Sequence, residues 1–221
     1  MQATETIMAV NFFGAVRVSQ AFIPLLRYAK NSRIVNISSI LSFAGLPSTA
    51  AYSASKAALR YWSEAQRLEL LKYDIQVVTI CPDFFKTDMT ATLNILKTFD
   101  REIEKLPESV REAYGEEYLN NQRMLLTDKD SIVMTNEDTS PVIKAIADGV
   151  LQFRPDPVLV PSSFFSKLFK AIMSSSFLPQ IISDWILMTL GQQDRIPTKW
   201  STRPVQISEE TGEETFIRDT E

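Results

Sequence analysis

The sequence predicts an α/β fold with a parallel sheet, and three neighbouring segments support this prediction. Residues 33–38, RIVNIS, form a short β-branched run whose apolar side chains suit a strand buried on both faces. Residues 49–72 follow a long helical pattern, and residues 75–81, IQVVTIC, predict a second buried strand. Strand, helix and strand at this spacing form a βαβ unit, which has parallel strands and a right-handed crossover.

The segments on either side of this unit are predicted to be mainly helical. Residues 4–28 form a helix with apolar side chains on one side. Residues 83–138 are charged and mostly helical, with a stop signal at Pro107 and a loop over residues 127–138.

The C-terminal third begins with a well-marked helix. Ser140 and Pro141 are a favourable N-cap and first helical residue for a helix that extends to about Phe153. The sequence PVLVP at 157–161 predicts a short strand, and residues 162–191 predict two C-terminal amphipathic helices.

The chain is expected to form a single domain over residues 1–190, followed by a tail. Residues 191–221 are polar and acidic with little apolar content, so we expect this tail to be disordered. The N-terminus lacks a basic region followed by an apolar run, which argues against a cleaved signal peptide and favours an intracellular protein.

Composition excludes several classes of function. The 221 residues carry a net charge of −4, which offers no basic surface for nucleic acid. The chain has no histidine, so mechanisms that need an imidazole base and zinc sites that need imidazole ligands are ruled out, and we expect no metal site. One cysteine permits no intrachain disulfide.

Four polar or turn-forming residues are predicted to meet at one edge of the sheet. Ser39 follows the first strand and Pro82 follows the second, while Tyr52 and Lys56 lie in the first turns of the helix between them. Ligands of open α/β sheets bind beyond the carboxyl ends of the strands, which is where these four residues fall. We therefore expect them to surround one crevice.

The spacing of Tyr52 and Lys56 has a chemical use. Residues four apart lie on the same helix face, and a nearby ammonium lowers the pKa of a phenol. A phenolate can take the proton of an alcohol as a general base, and Ser39 would hold and polarise the oxygen. The plainer interpretation is a half-buried tyrosine beside a solvated lysine, and a lone Tyr-x-x-x-Lys match favours it.

Four motifs in order point to a known family. They are NFFG at 11–14, RIVNISS at 33–39, YSASK at 52–56 and CPDFFKTDM at 81–89. With these motifs the chain resembles the short-chain dehydrogenase/reductases, which implies a partial Rossmann-like doubly wound parallel sheet. The resemblance also implies an oxidoreductase that transfers hydride between an alcohol and NAD or NADP.

The resemblance assigns roles to single residues. It implies that Asn11 supports a proton relay, that Ser39 is the substrate-oxygen donor, and that Tyr52 is the catalytic acid and base. It implies that Lys56 binds the nicotinamide ribose and lowers the pKa of Tyr52. The cofactor-binding residues implied are Tyr52, Lys56, Pro82, Phe85 and Thr87.

Two departures from the family pattern stand out. Asp83 places a carboxylate after Pro82, where the family has glycine. The glycine-rich turn that binds the dinucleotide pyrophosphate has no counterpart, because no two of the six glycines are close enough in sequence. The sequence is therefore expected to be N-terminally truncated and to lack the cofactor-binding half, and the alternative function is an inactive fragment or degenerate copy.

Downstream segments narrow the resemblance to the branch with retinol dehydrogenases, hydroxysteroid dehydrogenases and mitochondrial-type 3-hydroxybutyrate dehydrogenase. An apolar alcohol or ketone is the expected substrate, with Arg154 and Lys167 as carboxylate partners in the hydroxybutyrate alternative. The apolar face of the C-terminal helices is expected to be buried in the hydrophobic core. The alternative is that it forms a lid over the substrate that contacts a membrane of the endoplasmic reticulum or mitochondrion. Helices 4–28 and 49–72 are candidates for a homo-oligomer contact.

Overall fold

The computed structural model describes residues 2–46, 49–87, 92–127 and 136–161, together with 206–207 and 214–215. The predicted amphipathic helices at 162–191 and most of the 127–138 loop lie outside these residues. Within them, the order of helices and strands agrees with the order predicted from the sequence.

A parallel sheet forms the centre of the molecule. Strand β1 (Arg33–Ile37) pairs with β2 (Gln76–Ile80), with Arg33 opposite Gln76 and Ile37 opposite Ile80, and β2 pairs with β3 (Val158–Leu159). All of these pairs are parallel and the strand order is β1-β2-β3. The predicted βαβ unit is thus confirmed, with helix α3 (Ala50–Leu70) between β1 and β2.

Helices cover both faces of the sheet because side chains alternate along each strand. On one face, Ile34 and Val77 pack with Leu70 of α3. On the other face, Val78 and Ile80 pack with Ala145 of helix α7 (Ser140–Leu151). Buried strands with apolar residues on both faces are typical of doubly wound α/β proteins, and here they place α3 and α7 on opposite sides of the sheet.

The predicted N-terminal helix is present and has an irregular middle turn. It consists of α1 (Gln2–Met8), a π-helical segment (Ala9–Gly14) and α2 (Ala15–Leu26). Several large apolar side chains on it are exposed, namely Val10, Phe13, Val18, Phe22 and Leu25. By length and composition alone, Ala3–Leu26 is apolar enough to cross a membrane, and 6% of its most apolar window is buried.

The described residues of the charged segment between β2 and α7 contain three helices. They are α4 (Thr92–Glu104), α5 (Glu108–Tyr114) and α6 (Glu116–Thr127), so the predicted stop at Pro107 is confirmed. An ion pair joins Arg123 of α6 to Asp100 of α4 at 2.7 Å. This pair and the packing of α4 on α6 make the segment a small helical unit.

The start of α7 differs from the prediction by one residue. The N-cap is Thr139 rather than Ser140, and Pro141 stands near the first helical position. The Oδ1 atom of Asp138 accepts a hydrogen bond from the backbone N–H of Ser140 at 2.9 Å. A carboxylate before the helix therefore satisfies one of the free backbone donors at the start of α7, the N–H of Ser140.

A short antiparallel pair is described in the tail. Strand β4 (Gln206–Ile207) pairs with β5 (Glu214–Thr215), with Gln206 opposite Thr215. These four residues do not decide whether residues 191–221 are disordered, which stays a prediction.

Candidate active site

A cavity of about 380 Å³ opens at the carboxyl end of the sheet. Residues from the ends of β1 and β2, from the first turns of α3 and from the start of α7 surround it. The lining residues are Ile37, Ser38, Ser39, Leu41, Tyr52, Lys56, Pro82, Asp83, Phe84, Phe85, Thr87, Thr139, Val142 and Ile143. The structure thus brings the four residues predicted to share a crevice around one space, and its volume is in the range of ligand sites.

Ser39 and Tyr52 both line this cavity, and the nearby Ser39 side chain acts to lower the pKa of the Tyr52 phenol. Ser39 has an extended backbone and begins a short 3₁₀ helix, where its Oγ atom accepts a hydrogen bond from the N–H of Leu41 at 3.2 Å. This bond fixes the serine hydroxyl on the cavity wall. The end of β1 and the first turn of α3 therefore place two hydroxyls on the wall of the same cavity.

Lys56 lies one turn after Tyr52 and also lines the cavity. Its Nζ atom donates a hydrogen bond to the carbonyl oxygen of Ile37 at 3.0 Å and lies 5.8 Å from the centre of the Tyr52 ring. Burial lowers the pKa of the Lys56 ammonium, because a desolvated positive charge is disfavoured. The ammonium is therefore held against β1 rather than against the phenol oxygen.

The structure corrects the expected pKa of Tyr52. We expected Lys56 to lower it, but burial raises the pKa of Tyr52 above its ordinary value, and the hydrogen bond from Ser39 offsets only part of that effect. The reason is that desolvation of the phenolate outweighs the neighbouring polar contacts. In this state Tyr52 is a protonated phenol.

Asn11 does not line the cavity, unlike the other predicted catalytic residues. It lies in the π-helical segment Ala9–Gly14, and its Nδ2 atom donates a hydrogen bond to the Oγ atom of Ser55. Ser55 in turn donates to the backbone carbonyl of Tyr52 at 2.7 Å. Asn11 is thus connected to the turn of α3 that carries Tyr52, although it is not in contact with the cavity.

A further wall of the cavity comes from two segments that are far apart in sequence. Phe85 and Asn136 form a parallel β-bridge, in which Lys86 N–H donates to Asn136 O at 3.0 Å. This bridge brings Pro82, Phe85 and Thr87 beside the first turn of α7, which supplies Thr139, Val142 and Ile143.

The α7 residues of this wall were not predicted from the sequence, although a signal for them existed. The chain leaves β2 at the carboxyl edge and enters β3 at the opposite edge, so a helix between them must begin near the carboxyl edge. The Ser140 and Pro141 signal marked the start of that helix.

The cavity fits one half of a nicotinamide dinucleotide. The hydroxyl and ammonium groups of Ser39, Tyr52 and Lys56 can bind a carbonyl, an alcohol and ribose hydroxyls. The apolar side chains of the cavity wall suit the flat nicotinamide ring. Nothing comparable for a pyrophosphate is present in the described part of the chain. Its glycines, Gly14, Gly45, Gly115 and Gly149, lie too far apart in sequence to form a phosphate-binding turn.

The parallel sheet covered on both faces, with a polar cavity at its carboxyl edge, defines a doubly wound α/β protein of the dinucleotide-binding class. Residues 1–97 match the family model described as short chain dehydrogenase. Several curated dehydrogenases are at least 30% identical to the chain. The chain belongs to the short chain dehydrogenase family, as the motifs predicted.

Three curated relatives show how far the similarity extends. Estradiol 17-beta-dehydrogenase 2 of Mus musculus is 35% identical over 189 residues, which is 85% of this chain and 48% of the relative. 11-beta-hydroxysteroid dehydrogenase type 2 of Oryctolagus cuniculus is 36% identical over 158 residues, 70% of this chain and 37% of the relative. D-beta-hydroxybutyrate dehydrogenase, mitochondrial, of Bos taurus is 30% identical over 189 residues, which is 84% of this chain and 54% of the relative. The chain spans about half the length of the curated relatives it matches.

Solved structures agree on the fold. A short chain dehydrogenase from Burkholderia cenocepacia J2315, in complex with NADP, has a TM-score of 0.59 at 19% identity, covering 84% of this chain and 60% of the other. A short-chain dehydrogenase from Streptomyces avermitilis has a TM-score of 0.56 at 20% identity, and the match covers 87% of this chain and 62% of the other. The predicted Rossmann-like α/β fold class is thereby confirmed.

Proposed function

We propose that this chain carries the substrate-binding and proton-transferring part of an NAD(P)-dependent oxidoreductase that acts on the CH–OH group of an alcohol. The observation that supports the proposal is that the hydroxyls of Ser39 and Tyr52 line one cavity together with the ammonium of Lys56. Two hydroxyls that line one cavity can hold one substrate oxygen between them, which is the geometry that proton transfer requires.

Ser39 and Tyr52 have different roles in the proposed reaction. Ser39 donates a hydrogen bond to the substrate oxygen and polarises it. In oxidation, the O–H bond of the alcohol breaks and its proton goes to the phenolate form of Tyr52, while the C–H bond of the carbinol carbon breaks and the carbon–oxygen double bond forms. In reduction, Tyr52 returns that proton to the carbonyl oxygen. When bound, the nicotinamide cofactor accepts or supplies the hydride, so that electrons and protons balance.

The protonation state of Tyr52 in the structure suits the reductive direction. Burial raises the pKa of Tyr52, so the phenol is in the form that donates a proton to a carbonyl. Oxidation requires a lower pKa, which a positive charge brought close to the phenol oxygen provides. Lys56, whose Nζ atom is bonded to the Ile37 carbonyl in this structure, is the residue that can supply such a charge.

The cofactor is NAD or NADP, and the proposal assigns it Tyr52, Lys56, Pro82, Phe85 and Thr87. All five line the same cavity. Lys56 and Tyr52 can bind ribose hydroxyls, and Pro82 and Phe85 provide apolar contacts for the ring. The NADP-containing relative from Burkholderia cenocepacia J2315 shares this fold, which supports the cofactor class without choosing between NAD and NADP.

The substrate class favoured by the cavity is an apolar alcohol or ketone. Aliphatic and aromatic side chains make up much of the lining, including Leu41, Phe84, Val142 and Ile143. The names of relatives point to estradiol, 11-beta-hydroxysteroids and retinol, which are apolar, and also to hydroxybutyrate.

A hydroxybutyrate carboxylate would need a cation, and the structure argues against one of the two predicted partners. Arg154 follows the C-terminal end of α7 and lies over the Phe153 ring, whereas Thr139 at the N-terminal end lines the cavity. The 12 residues of α7 separate these ends by about 18 Å at 1.5 Å per residue. Lys167, the other predicted partner, lies outside the described residues.

Turnover of a panel of alcohols tests the proposal. The 221-residue chain is incubated with NAD or NADP and with estradiol, retinol or 3-hydroxybutyrate, and reduced cofactor is followed by fluorescence. We expect an apolar alcohol to be oxidised by the wild-type chain, and Tyr52→Phe to abolish turnover because the proton-accepting oxygen is gone. The exposed Tyr61→Phe is the matched control. Activity that survives in Tyr52→Phe contradicts the assigned role.

The alternative is a non-catalytic fragment or degenerate copy. It is favoured by one observation, the wide spacing of the six glycines, which leaves this sequence without a pyrophosphate-binding turn. Calorimetric titration of the chain with NAD and NADP separates the two possibilities. Binding at micromolar concentration favours the enzyme, and absence of binding together with absence of turnover favours the fragment.

We also propose contact with a membrane through the apolar helix Ala3–Leu26. Its exposed side chains include Phe13, Phe22 and Leu25, which suit the boundary of a bilayer. Sedimentation with phosphatidylcholine vesicles tests this, and Phe22→Asp should leave the chain in solution. Homo-oligomer formation through α2 and α3 also stays a prediction, which light scattering of the purified chain tests.

A further inference from the structure

The cavity holds one side chain of each charge. Among the described residues that line it, Lys56 and Asp83 are the two that can carry a full charge at neutral pH. Serine, threonine and apolar side chains account for most of the rest. A cavity with a lysine and no carboxylate would disfavour a cationic ligand, so Asp83 changes what this cavity can bind.

The position of Asp83 is fixed by its own backbone. Its Oδ1 atom accepts a hydrogen bond from the N–H of Phe84 at 2.8 Å. Pro82, which precedes it, restricts the chain at the end of β2. This hydrogen bond holds the carboxylate at the edge of the cavity that Asp83 lines.

The two forms of a nicotinamide ring differ in charge by one unit. The oxidised ring is a cation and the reduced dihydro ring is neutral, although both have nearly the same size and the same hydrogen-bonding carboxamide. A fixed carboxylate attracts the cation and has little effect on the neutral ring, since Coulomb attraction requires charge on both partners. Charge is thus the one property by which Asp83 can distinguish them.

We propose that Asp83 makes this cavity select the oxidised, cationic nicotinamide ring over the reduced, neutral ring. This inference rests on the proposed function, because it concerns the same cavity and the same cofactor. Ser39, Tyr52 and Lys56 contact either form, whereas Asp83 sets the preference between them. Asp83 is therefore a specificity-determining residue for the redox state of the cofactor.

Two small ligands test the inference on the 221-residue chain. Nicotinamide riboside carries the cationic ring, its dihydro form carries the neutral ring, and neither needs a pyrophosphate site. Dissociation constants for both are measured by NMR titration with the wild-type chain and with Asp83→Asn. Asparagine keeps an Oδ1 acceptor for the Phe84 N–H and removes only the charge. Asp156→Asn, at an exposed position that does not line the cavity, is the matched control.

We expect the wild-type chain to bind the cationic ligand more tightly than the neutral one. In Asp83→Asn the ratio of the two dissociation constants should fall about fivefold, the change that one partly exposed charge pair produces. The affinity for the neutral ligand should stay the same, and Asp156→Asn should leave both affinities unchanged.

A change in packing or folding would move both affinities together, which separates a structural role from a charge effect. If both ligands bind and the ratio is the same in Asp83→Asn, or if the wild-type chain prefers the neutral ring, the inference is wrong while the proposed function stands. If neither ligand binds the wild-type chain, the inference and the proposed cofactor site both fail.

Discussion

The side chain of Asn11 donates a hydrogen bond to the Oγ atom of Ser55 over 3.0 Å, across 44 residues of sequence. Ser55 is 0% exposed, and its hydroxyl donates a hydrogen bond to the backbone carbonyl of Tyr52. π-helical turns are often found at functional sites. Here the π-helical segment contains Asn11, whose side chain makes the first of these two hydrogen bonds. The helix before the sheet thereby supports the turn on which the proposed acid and base is carried.

Asn11→Ala should destabilise the fold by about 1–2 kcal/mol, since it removes a hydrogen bond to a hydroxyl that is buried. Urea denaturation followed by circular dichroism measures the change. Asn120→Ala, at an exposed position of α6, is the control and should be neutral or slightly stabilising because alanine favours helices. Equal stability of Asn11→Ala and the wild-type chain would show that the bond contributes nothing.

Tyr52 should titrate above the ordinary tyrosine pKa of about 10. Burial raises its pKa because the phenolate loses hydration, and the Ser39 hydrogen bond offsets this only in part. The ultraviolet absorbance of tyrosinate is followed against pH, and the difference between wild type and Tyr52→Phe isolates this one group. A difference curve with its midpoint below 10 would contradict the burial effect.

The same shift makes stability depend on pH. The folded pKa of Tyr52 lies above the unfolded one, so its contribution to stability is fully present below about pH 10 and is lost as the pH rises through the folded pKa. The pH dependence that comes from Lys56 has the opposite sign, because the folded state lowers the pKa of its ammonium. The stability that Lys56 contributes is present above its unfolded pKa and is lost as the pH falls through its folded pKa. In alkaline urea titrations, Tyr52→Phe should therefore lose less stability above pH 10 than the wild-type chain.

Arg33→Met should destabilise the fold by about 1 kcal/mol or more. The Nη1 atom of Arg33 donates to the carbonyl oxygens of Val150 at 2.6 Å and Gly149 at 3.2 Å, in the last turn of α7. A cation at a helix C-terminus also interacts favourably with the helix dipole. Thermal denaturation measures the loss, and Lys30→Met, which removes an exposed cation just before β1, serves as the control.

Gly149 marks the closest approach of α7 to the sheet. A Cβ atom there would lie 3.4 Å from Val78 Cγ1 and 3.7 Å from Leu159 Cδ1, which is contact without overlap. Gly149→Ala should therefore be neutral or stabilising by up to about 1 kcal/mol, through better helix propensity. Gly149→Leu should cost roughly 1–3 kcal/mol, because the larger side chain must push α7 away from the strands. Denaturation of both variants checks the contrast.

Local patterns were enough to predict one side of the site. The β-branched runs identified β1 and β2, and the length between them required a crossover helix, so Ser39, Tyr52 and Lys56 had to meet at the carboxyl edge. The motif resemblance added Thr87 and Phe85, and the structure places both at the cavity. The location of these residues at the cavity was predictable because they are close in sequence or follow directly from strand order.

Other features depend on long-range packing or on the balance of small energies. The cavity wall formed by Val142 and Ile143 depends on the bridge between Phe85 and Asn136, which joins segments that no local pattern connects. The pKa of Tyr52 was expected to move in the wrong direction, since sequence shows a neighbouring lysine but not that its ammonium bonds to the Ile37 carbonyl. Burial is a property of the assembled sheet and helices.

The single thiol of the chain offers a practical reporter. Cys81 is 0% exposed, and its Sγ atom lies 3.9 Å from the Ser42 hydroxyl in the wall behind the cavity. An alkylating reagent can reach this sulfur only when β2 separates from its neighbours. The rate of alkylation of the native chain therefore measures how often the centre of the sheet opens, without any engineered label.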